Sequence, residues 1–423
     1  MKKENNKTIN NKNNHPTAQE THKNIKNPPN QATHKIKIHP QHQATQKKIN
    51  PQINQVTHKI IAQTNNKESD NFQIKMLKEI NKSNIGKNIM ISPLSIYHIL
   101  SLTTNGAENK TLREMLQALC QRNKIELNKN NAIISSSIGK LKSIELANAI
   151  FTKFKPLDNF MKIIKDYKAT IDKLIDESQI NKWCSDSTHQ KIPQIIDNLT
   201  DNDLMVLINA IYFKGFWQEK FDKKLTNENE FMNYNKEPQR VDFMHITKKF
   251  DYYEDKELQA ISLNYQKDHL KALIILPNHT VDINTYIKNF TIEQYTKILK
   301  KLVNKKVIFS LPKFEVQFKA ELKNIFISLG MIEPFSDNAD FSTMRKEKDI
   351  KISRIIHKTF IKIDERGTEA AAVTAVINRK NFACVIKKPD PIMNVDRPFL
   401  FIIRSDDLPS EQDMLFVTKV EFL

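Results

Sequence analysis

Apolar residues recur at helical spacing in several stretches of the chain. SPLSIYHILSLTTNGAENKTLREMLQAL reads as two helices, with Ser92-Pro93 as a start signal and Asn105-Gly106 as the break between them. DNFMKIIKDYKAT, QINKWCSDSTHQKIPQII and AELKNIFISLGM carry the same period, the last closed by Gly330. Elsewhere apolar residues run together or alternate. DLMVLINAIYFKGFW, HLKALIILP, KKVIFSLPKFEVQF, IIHKTFIKID, PFLFIIRS and MLFVTKVEF therefore read as strands. Helical stretches come mostly first and strands mostly late, which predicts an α+β domain with large, mainly antiparallel sheets.

The opening of the chain follows neither pattern. It is a degenerate repeat of 11 or 12 residues, HPTAQETHKNIK, NPPNQATHKIKI, HPQHQATQKKI and NPQINQVTHKI, each unit with a proline and none with an aromatic residue. Such units cannot bury enough surface to offset chain entropy, so residues 1–65 are expected to form a disordered basic arm and 66–423 a single large domain. Residues 1–60 hold eleven lysines against Glu4 and Glu20, a large share of the net charge of +18, and six of the twelve histidines. That concentration makes a polyanion a candidate partner for the arm.

An apolar content of 39% suffices for a real core. Neither a membrane span nor a secretory signal is visible, which favours a cytoplasmic address and leaves secretion by another route open. Cys120, Cys184 and Cys384 are too scattered for a disulfide framework or a zinc motif. With six glycines there is no glycine-rich phosphate loop, and no G-x-S-x-G elbow, H-E-x-x-H or Walker motif is present. Ser95 and His357 read as a buried hydrogen-bonded pair rather than part of a hydrolytic triad. No enzyme, metal or cofactor is expected.

From about residue 71 onward the chain resembles the serpins. The resemblance is carried in order by NIMISPLSIYHILSLTTNGAENKTLREM, LMVLINAIYFKGFWQEKF, VDFMH, LPKFEVQFKAELKNIFISLGMIEPFSDNADFS, IIHKTFIKIDERGTEAAAVTAV and DRPFLFII. It implies three mainly antiparallel sheets, eight or nine helices and an exposed reactive-centre loop at about 365–395, in a protein expected to be a monomer. It also implies suicide inhibition: a protease cleaves the loop, and the loop's N-terminal side inserts as a new strand into the main sheet.

The hinge of that loop is assigned by resemblance to Glu365, Gly367, Thr368, Glu369, Ala370, Ala371, Ala372, Val373 and Thr374. In an inserted strand, alternation would put Thr368, Ala370, Ala372 and Thr374 on one face and Glu369, Ala371 and Val373 on the other, so only one face carries a charge. Small inward residues can slip between strands without repacking. Ser92, Ser95, Asn209 and His357 are similar to the family's shutter cluster beneath the sheet. Lys313, Glu365 and Trp217 are similar to the group at the sheet's opening.

Family spacing places the scissile bond near Asn381, in VINRKNFACV. Cleavage after Arg379 or Lys380 would indicate a trypsin-like serine protease, the favoured partner. Asn381 would indicate an asparagine-specific cysteine protease, and Phe382 a chymotrypsin-like enzyme. Three departures from the family pattern stand out. The stretch from Leu119 to Glu145 is short, which suggests that a helix used by some members for glycosaminoglycan binding is reduced or lost. His189-Gln190 replaces a glycine turn, and Thr418 replaces a glycine in the last strand. The alternative to inhibition is a non-inhibitory scaffold whose basic arm grips nucleic acid or another polyanion.

Overall fold

The computed structural model describes residues 70–368, 389–409 and 411–423. The arm, Glu369 to Thr374 of the hinge, and Arg379, Lys380, Asn381 and Phe382 lie outside the described residues. The helices are α1 (Phe72–Lys82), α2 (Pro93–Thr104), α3 (Asn109–Ala118), α4 (Lys124–Ile138), α5 (Asp158–Asp166), α6 (Glu177–Ser187), α7 (Ile283–Asn289), α8 (Ile292–Lys301) and α9 (Lys323–Ser328). The strands are β1 (Ile89–Ile91), β2 (Ile144–Thr152), β3 (Thr170–Lys173), β4 (Met205–Phe213), β5 (Gly215–Phe216), β6 (Asn227–Met232), β7 (Pro238–Glu254) and β8 (Leu258–Asn264). They continue with β9 (Leu270–Pro277), β10 (Val303–Pro312), β11 (Phe314–Glu321), β12 (Arg354–Asp364), β13 (Gly367–Thr368), β14 (Ile392–Asn394), β15 (Phe399–Ser405) and β16 (Met414–Val420). No described helix is long and apolar enough to cross a membrane.

Hydrogen bonding joins the strands into a nine-stranded and a seven-stranded network. In the larger one, the 17-residue β7 serves two layers. Its first residues pair with β6 and its last with β8, while β10 covers its other edge. Taken as two layers meeting on β7, it gives with the seven-stranded sheet the three sheets expected. Pairings are antiparallel except β2 with β3, β4 with β12 and β10 with β14.

Helix α2 explains how the two networks share one core. It packs on β16 of the larger network and on β2 and β4 of the smaller, and every one of its residues is buried. A helix enclosed on all sides carries no charged residue, and its polar side chains are small or hydrogen-bonded, as Thr103 and Thr104 are to the carbonyls of Ile99 and Leu100. Its start is the expected Ser92-Pro93: Ser92 Oγ accepts the backbone N–H of Ser95 at 3.3 Å.

Some sequence expectations need correction. The helical period of QINKWCSDSTHQKIPQII is used only as far as Ser187. Beyond it His189 and Gln190 adopt φ of 48° and 63°, and Pro193 follows, so the helix cannot continue. Both residues thus hold the left-handed backbone that the family's glycine turn would adopt more easily. The stretch from Leu119 to Glu145 has not lost its helix, since α4 spans 15 residues of it. What α4 lacks is charge: Lys124 and Lys129 are its only lysines.

Candidate functional site

In the seven-stranded sheet β12 lies between β11 and β4, and its parallel pairing with β4 runs from Arg354–Val206 to Phe360–Tyr212. Midway along this seam His357 stands opposite Asn209, and Asn148 of β2 stands opposite Asn209 on its other side. Three polar side chains therefore form a row across the middle of three adjacent strands, and α2 lies beneath them.

The row is hydrogen-bonded from end to end. Ser92 N–H donates to His357 Nε2 at 3.2 Å, which leaves the imidazole proton on Nδ1, where it donates to Asn209 Oδ1 at 2.5 Å. Asn209 Nδ2 donates to Ser95 Oγ and to Asn148 Oδ1, Asn148 Nδ2 to His98 Nδ1 at 3.2 Å, and His98 Nε2 to Ser135 Oγ at 3.2 Å. Ser92, Ser95, Asn209 and His357 are all fully buried. Burial pushes the His357 pKa down to about 3 and that of His98 to about 4. Both rings are neutral with each nitrogen engaged. A second proton on His357 would face the Ser92 N–H donor to donor. Ser95 and His357 are thus not a direct pair, as the sequence suggested; Asn209 joins them. Asn148, His98 and Ser135 were missed, although a polar residue centred in the apolar run LANAIF is a signal.

Above Phe360 the seam is open, and the hinge is in it. The chain turns at Glu365-Arg366 and comes back as β13, antiparallel to β12 (Thr368 opposite Ile363) and antiparallel to β5 (Thr368 opposite Gly215, Gly367 opposite Phe216). Thr368 is fully buried, and its Oγ1 lies 3.0 Å from the hydroxyl of Tyr265. Gly367 has φ of +145°, and a Cβ on it would come within 2.1 Å of Gly215 O. Close approach of two backbones, as well as flexibility, requires glycine here.

The turn is stitched down by its neighbours. Trp217 donates its backbone N–H to Arg366 O at 2.8 Å and its indole N–H to Asp364 O at 3.0 Å, and Phe221 N–H reaches Glu365 O at 3.0 Å. Tyr265 stacks on Trp217 with ring centroids 4.5 Å apart, a contact sequence reasoning did not find. Glu365 Oε1 accepts from Thr226 Oγ1 at 2.9 Å and lies 3.6 Å from Lys313 Nζ, which also contacts Asp242 at 3.2 Å. Burial works against the charged ammonium of Lys313, but bonding to Asp242 and the field of Glu365 outweigh it and raise its pKa.

The described residues therefore bring together two groups the sequence named separately: Ser92, Ser95, Asn209 and His357 in the closed part of one seam, and Trp217, Lys313, Glu365, Gly367 and Thr368 where it opens. Comparisons with known proteins agree on what this arrangement belongs to. Residues 67–421 match the family model described as Serpin (serine protease inhibitor). Serpin B8 of Homo sapiens is 32% identical over 355 residues, covering 79% of this chain and 93% of the relative. Leukocyte elastase inhibitor of Xenopus laevis is 32% identical over 356 residues with the same coverages, 79% and 93%. Among solved structures, the native state of the thermophilic serpin tengpin superposes with a TM-score of 0.75 at 32% identity, covering 84% of this chain and 92% of tengpin. The chain belongs to the serpin family.

Proposed function

We propose that the chain inhibits serine-type endopeptidases as a suicide substrate: the protease cleaves the loop beyond β13, and the N-terminal side of the cut loop continues down the seam as a full strand. The observation that carries this reading is β13. Gly367 and Thr368 already run between β5 and β12 in the direction such a strand would take. Continued in the same register, Glu369 would fall between Lys214 and Lys362, Ala370 between Phe213 and Ile361, Ala372 between Ile211 and Thr359, and Thr374 between Asn209 and His357. The single charge would then lie on the outer face between two exposed lysines, and the inward face would hold only small side chains.

Energetics favour the same reading. Insertion would replace the parallel β4–β12 pairing by two antiparallel ones, which are slightly more stable per residue. Roughly a dozen new ladder bonds at about 1 kcal/mol each give on the order of 10 kcal/mol, enough for an essentially irreversible step. The name of the leukocyte elastase inhibitor, a relative, points the same way. Within the family group we assign Ser92, Ser95, Asn209 and His357 to control of seam parting, and Trp217, Lys313 and Glu365 to control of its mouth.

We further propose a trypsin-like target, cut at Arg379 or Lys380, with an asparagine-specific cysteine protease as the competing assignment through Asn381. The test is incubation with trypsin-like, chymotrypsin-like and asparagine-specific proteases, followed by denaturing electrophoresis and sequencing of the new C-terminal fragment. A complex that survives SDS is expected with the first class; plain cleavage across the whole panel would overturn the reading. A second reading rests on the charge of residues 1–60: the arm binds a polyanion in the cytoplasm. Binding lost on deleting 1–60 and steeply weakened by salt is expected, and equal binding by the truncated chain removes it.

A further inference from the structure

We propose that the cleft beside the mouth of the seam is a binding site for a small oligoanion carrying two or more phosphate or sulfate groups. The cleft holds about 440 Å³ and is walled by Lys142, His189, Lys191, Lys214, Lys267 and the β5 residue Gly215, among others. These basic residues come from four separate stretches of chain, and the fold converges them on one concavity. Asp268 lies beside the cleft, its Oδ2 taking the backbone N–H groups of Lys142 at 2.9 Å and Ser143 at 2.8 Å.

Lys142, Lys214 and Lys267 form no ion pair among the described residues. Elsewhere lysines are commonly matched, as Lys319 is by Asp197 and Lys351 by Asp337. Ammonium groups gathered at a concave, low-dielectric wall focus positive potential into it. A multivalent anion of a few ångströms' span would relieve that repulsion, and the Ser143 and Gln266 side chains that also line the cleft are hydrogen-bonding types suited to its oxygens.

The test is isothermal titration of the full chain at low salt with inorganic triphosphate and, separately, with a trisulfated disaccharide. Binding of either at one per chain, weakening steeply as salt is added, supports the site, and the tighter probe names the chemistry. The variant Lys142→Gln/Lys214→Gln/Lys267→Gln alters exposed side chains and is checked for an unchanged Tm. Its affinity is expected to fall about tenfold or more. Lys248→Gln/Lys249→Gln/Lys306→Gln, which removes the same charge from β7 and β10, is expected to keep the parent affinity. Equal affinity of the first variant and the parent, an equal loss in both variants, or no binding by either probe overturns the proposal.

Discussion

Thr368→Arg tests the link between burial of the hinge and inhibition. Thr368 is fully enclosed between Gly215 and Ile363, with its hydroxyl on Tyr265. Arginine at this position loses that bond, worth about 1 kcal/mol. It also brings a guanidinium into a slot where Glu365, the buried carboxylate of the adjoining turn, is already engaged by Thr226 and Lys313. Leaving a charge buried and unpaired costs about 3–5 kcal/mol. Before cleavage the hinge can escape this by withdrawing, forfeiting a few ladder bonds at about 1 kcal/mol each. During insertion it cannot, because residue 368 must enter first. The insertion barrier therefore rises by about 3 kcal/mol or more, which slows the step by about a hundredfold or more. A cleaved loop that slow loses the race to hydrolysis of the acyl-enzyme. The assay takes a protease that forms an SDS-stable complex with the parent and compares complex with cleaved chain at equal molar amounts. Thr368→Arg should yield cleaved chain, while Thr368→Ser, which keeps the hydroxyl, should retain the complex. The same yield of complex from Thr368→Arg and the parent would refute the reasoning.

Other outcomes follow from the same geometry. Gly367→Ala places a Cβ against Gly215 O in left-handed backbone, so thermal unfolding should show a loss of about 1–3 kcal/mol; an unchanged Tm would contradict the close approach. The neutral histidines make the protein acid-sensitive. Their folded pKa values, about 3 for His357 and about 4 for His98, lie below the ordinary 6.5, so the unfolded chain takes up protons first as pH falls. Stability from these two groups is complete above pH 6.5 and erodes below it, by roughly 4 kcal/mol in all at pH 5. Urea unfolding at pH 7.5 and pH 5 measures this, and His98→Asn should remove about half of the difference. Thr418 lies buried in β16 between Met90 and Phe401, and its hydroxyl has no partner among the described residues. Thr418→Val keeps the shape and should raise stability by about 1 kcal/mol, while a loss would show that the hydroxyl is satisfied.

What was legible in the sequence, and what was not, follows from how far apart the interacting residues lie. The apolar period of residues 93–104 and the Ser-Pro start specify α2 locally, so that helix was readable to its first residue. Ser92, Asn209 and His357 were reached through collinear motifs. Asn148 and His98 were not: the polar break in LANAIF marks Asn148, but its partners emerge only when β2 registers against β4 and α2 packs beneath. The same holds for Gly367. Its own neighbours suggest a flexible joint, whereas the closeness of Gly215 depends on pairing between segments some 150 residues apart, which no local pattern records. Residues 188–196 show the opposite failure: a helical period persists there while His189 and Gln190, in left-handed backbone, break the helix.

The polar row also answers a difficulty raised by insertion itself. Parting β4 from β12 separates Asn209 Oδ1 from the Nδ1–H of His357, and a buried donor or acceptor left unpaired costs about 1–3 kcal/mol each. In the register that β13 begins, the residue arriving between them is Thr374, on the inward face. A hydroxyl is the smallest group that can accept from the imidazole and donate to the amide oxygen at once. With the seam closed the row is satisfied as it stands, and on the proposed insertion the Thr374 hydroxyl would satisfy it with the seam filled. Thr374→Val removes only that hydroxyl. It should leave the Tm of the uncleaved protein unchanged and lower the Tm of the loop-cleaved form, corresponding to about 1–3 kcal/mol. If the two cleaved proteins melt together, the strand enters in another register, and the placement of Glu369 between Lys214 and Lys362 is lost with it.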